Sequence, residues 1–336
     1  MRLREYFKQK KILFLLIGLL IIAGLFAIRW FTADTADFNL PNNTQDLLTV
    51  SISVILESLP FVVLGILLSI AVQIWLPEDF IIKRLPKNAI LRRMTISLLG
   101  MLMPVCECGN IPLARGLIVK GLSVPDSLTF LLAAPILNPI TIITTQQAFG
   151  GDTTILVARL LGGFLIANII GWIFSKYSSK KSMLTDSFAA ICKQPSTHHH
   201  SKKGKTRQSA KILLQELNAI MPALFIGALI AGAIQLLGPR EVLTVLGADP
   251  VLSVFAMILL AFIVSICSNV DAFFALAFKS TFTTGAIVSF LTFGPMIDIK
   301  MIALMRTTYR PVVIWQIVGL VTLMSVFIGL VVNYAF

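Results

Sequence analysis

The sequence predicts an all-α polytopic membrane protein, with an N-terminal helix followed by two inverted repeats that contain broken or re-entrant helices. Three observations carry that reading. Of 336 residues, 57% are apolar and 13% charged, whereas soluble domains average about 45–50% and about 25%. The apolar residues gather into long segments separated by short polar ones. A set of Pro, Gly, Cys and Asn landmarks in the first half recurs, in the same order, in the second. The composition excludes a soluble globular enzyme, and it excludes disorder, which requires low hydrophobicity.

Nine apolar segments are about 20 residues or longer, enough to cross roughly 30 Å of hydrocarbon as helix. They cover residues 11–32, 47–75, 95–120, 124–148, 153–175, 211–237, 251–278, 284–306 and 312–335. The first runs uninterrupted from Ile12 to Ile28. That exceeds a signal-peptide core and no A-x-A site follows, so it reads as a retained helix. The net charge of +12 is topological: 19 of the 28 Lys and Arg residues lie in 1–11, 77–94 and 176–211, and none in 32–46 or 146–154. The positive-inside rule places the basic stretches, including the N-terminus and the 176–210 linker, in the cytoplasm of a cell (inner) membrane protein. No aromatic-interleaved basic motif accompanies the charge, which argues against nucleic acid as a partner.

If 77–94 and 176–211 are both cytoplasmic, the three segments between them cross an even number of times, so one does not fully span. Residues 103–116 (MPVCECGNIPLARG) and 133–141 (AAPILNPIT) put Pro, Gly, Asn and charge at mid-membrane depth. Interrupted backbone is tolerated there where it is buried in protein or lines a cavity.

The repeat follows from spacing. Pro60 and Gly65 match Pro222 and Gly227; Cys108 and Asn110 match Cys267 and Asn269; Lys120 matches Lys279; Pro135 and Asn138 match Pro295 and Asp298, all at offsets of 159 to 162. The segment at 47 starts outside and its partner at 211 starts inside, so the repeats are inverted. The expected organisation is 1–46 as basic N-terminus, first helix and outer loop, 47–175 as repeat 1, 176–210 as linker and 211–336 as repeat 2. Inverted repeats with discontinuous helices recur in secondary transporters, where the interruptions point to the substrate site.

The chemistry gathers at those interruptions. On an unbroken helix, residues two apart point about 200° from each other, so Cys106 and Cys108 could not share a ligand. Pro104, Gly109 and Pro112 are expected to unwind the stretch, as Pro135 and Pro295 do further on. Cys267 then brings a third sulfur from the other repeat, and thiolates select soft centres. Glu107, Asn110, Asn138, Asn269, Asp271 and Asp298 fall at depths where polar groups usually line a pathway. Arg115 is the expected charge partner of Glu107.

The run MPVCECGNIPLARGLIVKGLSVPDSLTFLLAAPILNPITI, residues 103–142, resembles the signature of the predicted permeases related to bacterial arsenical efflux permeases. It has their P-x-C-x-C-G-x-x-P core and downstream F-L-x-x-x-P-x-x-N. By resemblance, Pro104, Cys106, Cys108, Gly109, Pro112, Pro135 and Asn138 take the motif positions. The resemblance implies export of trivalent methylated or aromatic arsenicals through cysteines. Glu107 stands where a small residue is common in the family and adds a carboxylate to the thiol site.

The favoured function is therefore a permease, not an enzyme, moving a soft thiol-reactive solute such as a trivalent organoarsenical. A zinc-like divalent cation is the alternative, supported by Glu107, Asp271, Asp298 and a His198, His199, His200 tract in the linker that could capture metal. An intramembrane thiol oxidoreductase using Cys106 and Cys108 is the alternative of another class, without a C-x-x-C motif behind it. The linker reads as solvated and flexible. Gly204-Lys205-Thr206 lacks the first glycine of a nucleotide-binding loop, so energy comes from an ion gradient or a separate membrane or extracytoplasmic subunit. No cofactor is expected, and the surrounding partner is the lipid bilayer.

Overall fold

The computed structural model describes residues 42–75, 84–102, 105–150, 152–176, 183–192, 202–237 and 249–335. The first predicted segment, Pro104 and the three linker histidines lie outside them. Apolar runs without strand-forming alternation fold as helix, and no strand is present among the described residues. Five helical stretches are long and apolar enough to cross a membrane: Thr49–Trp75, Val124–Phe149, Thr153–Ser175, Gln208–Ile234 and Pro311–Ala335. The chain is an all-α polytopic membrane protein.

The elements run in two series on either side of a short helix. The first comprises α1 (Asn42–Trp75), α2 (Ala89–Leu98) with a 3-10 turn (Leu99–Leu102), α3 (Glu107–Val119), α4 (Val124–Leu137), α5 (Pro139–Phe149) and α6 (Thr153–Ser175). A short helix, α7 (Asp186–Cys192), follows. The second series comprises α8 (Lys202–Leu237), α9 (Pro250–Val264), α10 (Asp271–Leu276), α11 (Thr284–Phe293), α12 (Ile299–Met305) and α13 (Pro311–Ala335). The predicted segments 95–120, 251–278 and 284–306 are thus each two helices. Within residues 46–336, which form one compact unit, the series exchange elements: α3 packs on α12, and α10 packs on α5.

The interruptions differ in place from those expected. Gly109 and Pro112 lie inside α3, and Pro135 lies inside α4. The break in the first series comes before Cys106, which is the N-cap of α3 in extended backbone (φ −72°, ψ 174°). Gly109 serves close approach instead: a Cβ there would collide with the carbonyl oxygen of Phe61 on α1 and with Val105. The α4–α5 break falls at Asn138 because Pro139 has no N–H to give the Pro135 carbonyl. The Thr141 hydroxyl donates to that carbonyl at 3.0 Å in its place. Pro295 does sit at an interruption, in the turn between α11 and α12. In the second series α9 stops at Ser265, held in the left-handed region (φ 50°, ψ 44°).

Small residues let α6 sit against its neighbours. A Cβ on Gly163 would meet Ile136 of α4 at 2.5 Å, and one on Gly171 would collide with the Thr129 hydroxyl of the same helix. The Gly163–Gly171 stripe is therefore covered from within the chain. The linker departs from the solvated reading over residues 183–192. Met183, Leu184 and Phe188 are buried, and Leu184 pairs antiparallel with Tyr309. Thr185 N–H donates to Thr308 O at 2.9 Å, and Arg310 N–H to Met183 O at 3.0 Å.

Candidate functional site: a buried thiol–carboxylate cluster

The two broken stretches bring three potential ligands together. The sulfurs of Cys106 and Cys267 and a carboxylate oxygen of Glu107 all lie within 4.8 Å of one another, in residues only 1%, 3% and 1% exposed. Cys106 reaches this position because, as N-cap, it is not yet on the helical course of Glu107 and Cys108. Its thiol interacts with those of both Cys108 and Cys267. Cys108 itself donates to Ser58 Oγ on α1 at 3.6 Å.

The two oxygens of Glu107 face different partners. Oε2 accepts from Ser268 Oγ at 3.1 Å, from Ser268 N–H at 3.4 Å and from the Cys267 thiol at 3.8 Å. Oε1 faces the Lys300 ammonium at 3.6 Å, and Asp298 Oδ2 faces the same ammonium at 3.5 Å. Asp298 also caps α12, its Oδ1 accepting from Met301 N–H at 2.6 Å. Asn138 is its counterpart: Oδ1 accepts from Ile140 N–H at 2.9 Å, capping α5, and Nδ2 donates to Val105 O at 3.2 Å. Asn138 thus fixes the residue before Cys106 and is spent on the backbone.

Asn110 lies one turn after Cys106 on α3 and is wholly buried, and neither its amide oxygen nor its amide nitrogen has a hydrogen-bond partner among the described residues. The same holds for Asn269 Oδ1. Buried amides in proteins are nearly always satisfied, which sets Asn110 apart from Asn138, whose amide is spent on the backbone.

Two expected site residues are committed elsewhere. Arg115 does not face Glu107. Its Nε donates to Glu216 of α8 at 2.8 Å, its Nη1 to Thr307 O at 2.9 Å, and the guanidinium lies 4.2 Å from the centre of the Phe188 ring. Eight residues along a helix is about 12 Å of rise, which separates it from Glu107. Asp271 is held bidentate by Arg159 of α6, at 2.6 and 3.0 Å.

Lys300, Ser268, Ser58, Glu216 and Arg159 are partners of the expected site residues that sequence reasoning passed over. Lys300 carried a readable signal, a charge inside an apolar segment two residues after Asp298. Glu57 carried another. It is an exposed carboxylate in the middle of α1, and its charge interacts with Lys300 and Glu107.

The sequence profile of the ArsP_1 family, described as predicted permease, matches residues 43–334. A Streptococcus mutans protein named a two-component membrane permease complex subunit is 33% identical over 303 residues, covering 89% of this chain and 99% of its own length. The UPF0718 protein YcgR of Bacillus subtilis is 36% identical over 264 residues, 78% of this chain and 88% of the relative. The UPF0718 protein YraQ of Escherichia coli is 24% identical over 174 residues, 47% of this chain and 50% of its own. No solved structure matches the chain. With a family profile matching residues 43–334 and five helical stretches long and apolar enough to cross a bilayer, the chain belongs to the predicted permease family and is a multi-pass membrane transporter of that family.

Proposed function

We propose that this permease moves a thiophilic cation of the zinc class, taken up at Cys106, Cys267 and Glu107. The observation that supports it is the clustering of two sulfurs and a carboxylate oxygen within 4.8 Å, buried, at the breaks of the two series. Tetrahedral zinc with bonds of about 2.0–2.3 Å needs donor atoms roughly 3.3–3.8 Å apart, so the cluster would close by only about 1 Å. Two cysteine sulfurs, which release their protons as the ion binds, and a carboxylate form a borderline-soft set, whereas hard cations prefer oxygen alone. Asn110 and Asn269 offer polar contacts to the hydrated ion.

A trivalent organoarsenical is a second reading, favoured by the contact of the Cys106 thiol with both other thiols. That solute would use sulfur alone and leave Glu107 with Lys300. In either case transport is read as alternating access between inverted repeats 47–175 and 211–336, the linker 176–210 being cytoplasmic. The name of the Streptococcus mutans relative supports a second membrane subunit in the working complex.

Proteoliposomes containing the purified chain test the reading with zinc and with methylarsenite. Cys106→Ser and Cys267→Ser should each abolish uptake of the true cargo. Glu107→Gln should abolish zinc movement and spare the arsenical. Movement of either solute that survives loss of both cysteines would place the site elsewhere.

A further inference from the structure

Among the described residues, three buried ion pairs join the two series, and they differ in a way that bears on the site. Arg115 meets Glu216 at 2.8 Å and Arg159 meets Asp271 at 2.6 Å, lengths typical of locked, charge-assisted hydrogen bonds of about 2.7–2.9 Å. Lys300 meets Glu107 at 3.6 Å and Asp298 at 3.5 Å. Its ammonium therefore bridges two carboxylates, each at a distance longer than a charge-assisted hydrogen bond. Lys300 is 1% exposed, so no bulk water competes for it. The facing atoms, Glu107 Oε1 and Asp298 Oδ2, have no hydrogen-bond partner among the described residues. The ammonium is also close enough to interact with Cys108 and Cys267.

We propose that Lys300 is a tethered counter-cation that holds Glu107 between transport events and yields it to the cargo by shifting onto Asp298. This inference rests on the reading of the cluster as a cation site. Because Glu107 presents Oε2 to the thiol side and Oε1 to Lys300, an ion bound between Cys106 and Cys267 repels the ammonium across a single carboxylate. Asp298 is already within the same distance and receives it. A tether keeps the ammonium at a high effective concentration, so an ion that binds Glu107 through charge alone does not displace it. An ion that also gains two sulfur ligands does. Lys300 thus determines specificity against sodium and potassium, and its return to Glu107 helps expel the cargo.

Cadmium binding to the purified chain, followed by thiolate-to-metal charge-transfer absorbance, and cadmium turnover in proteoliposomes test this. Lys300→Met should bind cadmium at least tenfold more tightly, a change of about 1.4 kcal/mol, and turn over at least tenfold more slowly. Asp298→Asn keeps an N-cap of the kind Asn138 provides but gives the ammonium no resting carboxylate, so it should bind at least tenfold more weakly. Opposite signs in the two variants cannot come from a common loss of folding. Lys300→Arg should slow turnover, because a guanidinium fork would lock onto one carboxylate. If Cys106→Ser abolishes cadmium binding while Lys300→Met leaves affinity and turnover unchanged, the counter-cation role is wrong and the cation site stands. If the parent chain binds no cadmium, or binds it independently of Cys106, the cation site is wrong and the role of Lys300 falls with it.

Discussion

Replacing Arg159 by Met takes from the Asp271 carboxylate its cationic partner in a site where the two side chains are 0% and 3% exposed. The pair holds α6 of the first series to the start of α10 in the second, with Arg159 Nη1 also donating to Thr145 at 2.8 Å. Removing one member of such a buried pair typically costs about 3–5 kcal/mol, most of it the price of an uncompensated charge. Asp271→Leu should cost the same for the converse reason. The double variant Arg159→Met/Asp271→Leu buries no charge and loses only the Thr145 bond, worth about 1 kcal/mol. At about 2 °C per kcal/mol for a chain of this size, each single variant should unfold about 6–10 °C lower, and the double within about 2 °C of the parent. Thermal unfolding of the detergent-purified protein measures this. A double variant no more stable than the worse single one would refute the argument. A double variant of parental stability that transports nothing would assign Asp271 to the cargo after all.

Close backbone approach makes a second expectation. A methyl on Gly65 would stand 2.7 Å from Gly109 Cα, where carbon contacts need about 3.5–4.0 Å. Gly65→Ala should therefore push α1 from α3 by about 1 Å, part Ser58 from Cys108, and reduce transport at least tenfold. Gly319→Ala, with nothing within 4 Å of the added carbon, should leave transport unchanged. At the linker, Phe188→Ala removes the buried ring beneath Arg115, at a cost of about 3–5 kcal/mol. Alkylation of Cys192, in the same short helix, should then become at least tenfold faster. Cys192→Ser itself should transport normally, since Cys192 is outside the cluster.

The membrane class and the course of the apolar helices were legible because they depend on properties local in the chain. Hydrophobic length, proline and glycine near mid-segment, and thiols at an interruption can be counted without knowing the fold. Interruption sites were legible only to within a few residues. Pro135 is visible in the sequence, yet the break sits at Asn138, since the missing N–H belongs to Pro139 and the hydroxyl that replaces it to Thr141. Gly109 looked like a break and is a contact, because its role depends on how near α1 comes.

Pairing of the charges was not legible at all. Glu107 meets Lys300 across the two series, Arg115 meets Glu216 from 101 residues away, and Arg159 meets Asp271 from 112. Such pairs form between helix faces, and which faces meet is settled by packing over the whole molecule. The cysteines, carboxylate and apolar helices are properties of residue type and spacing. The cluster they form, and the buried lysine that faces its carboxylate, exist only where α3, α12 and the unwound stretch before α10 converge.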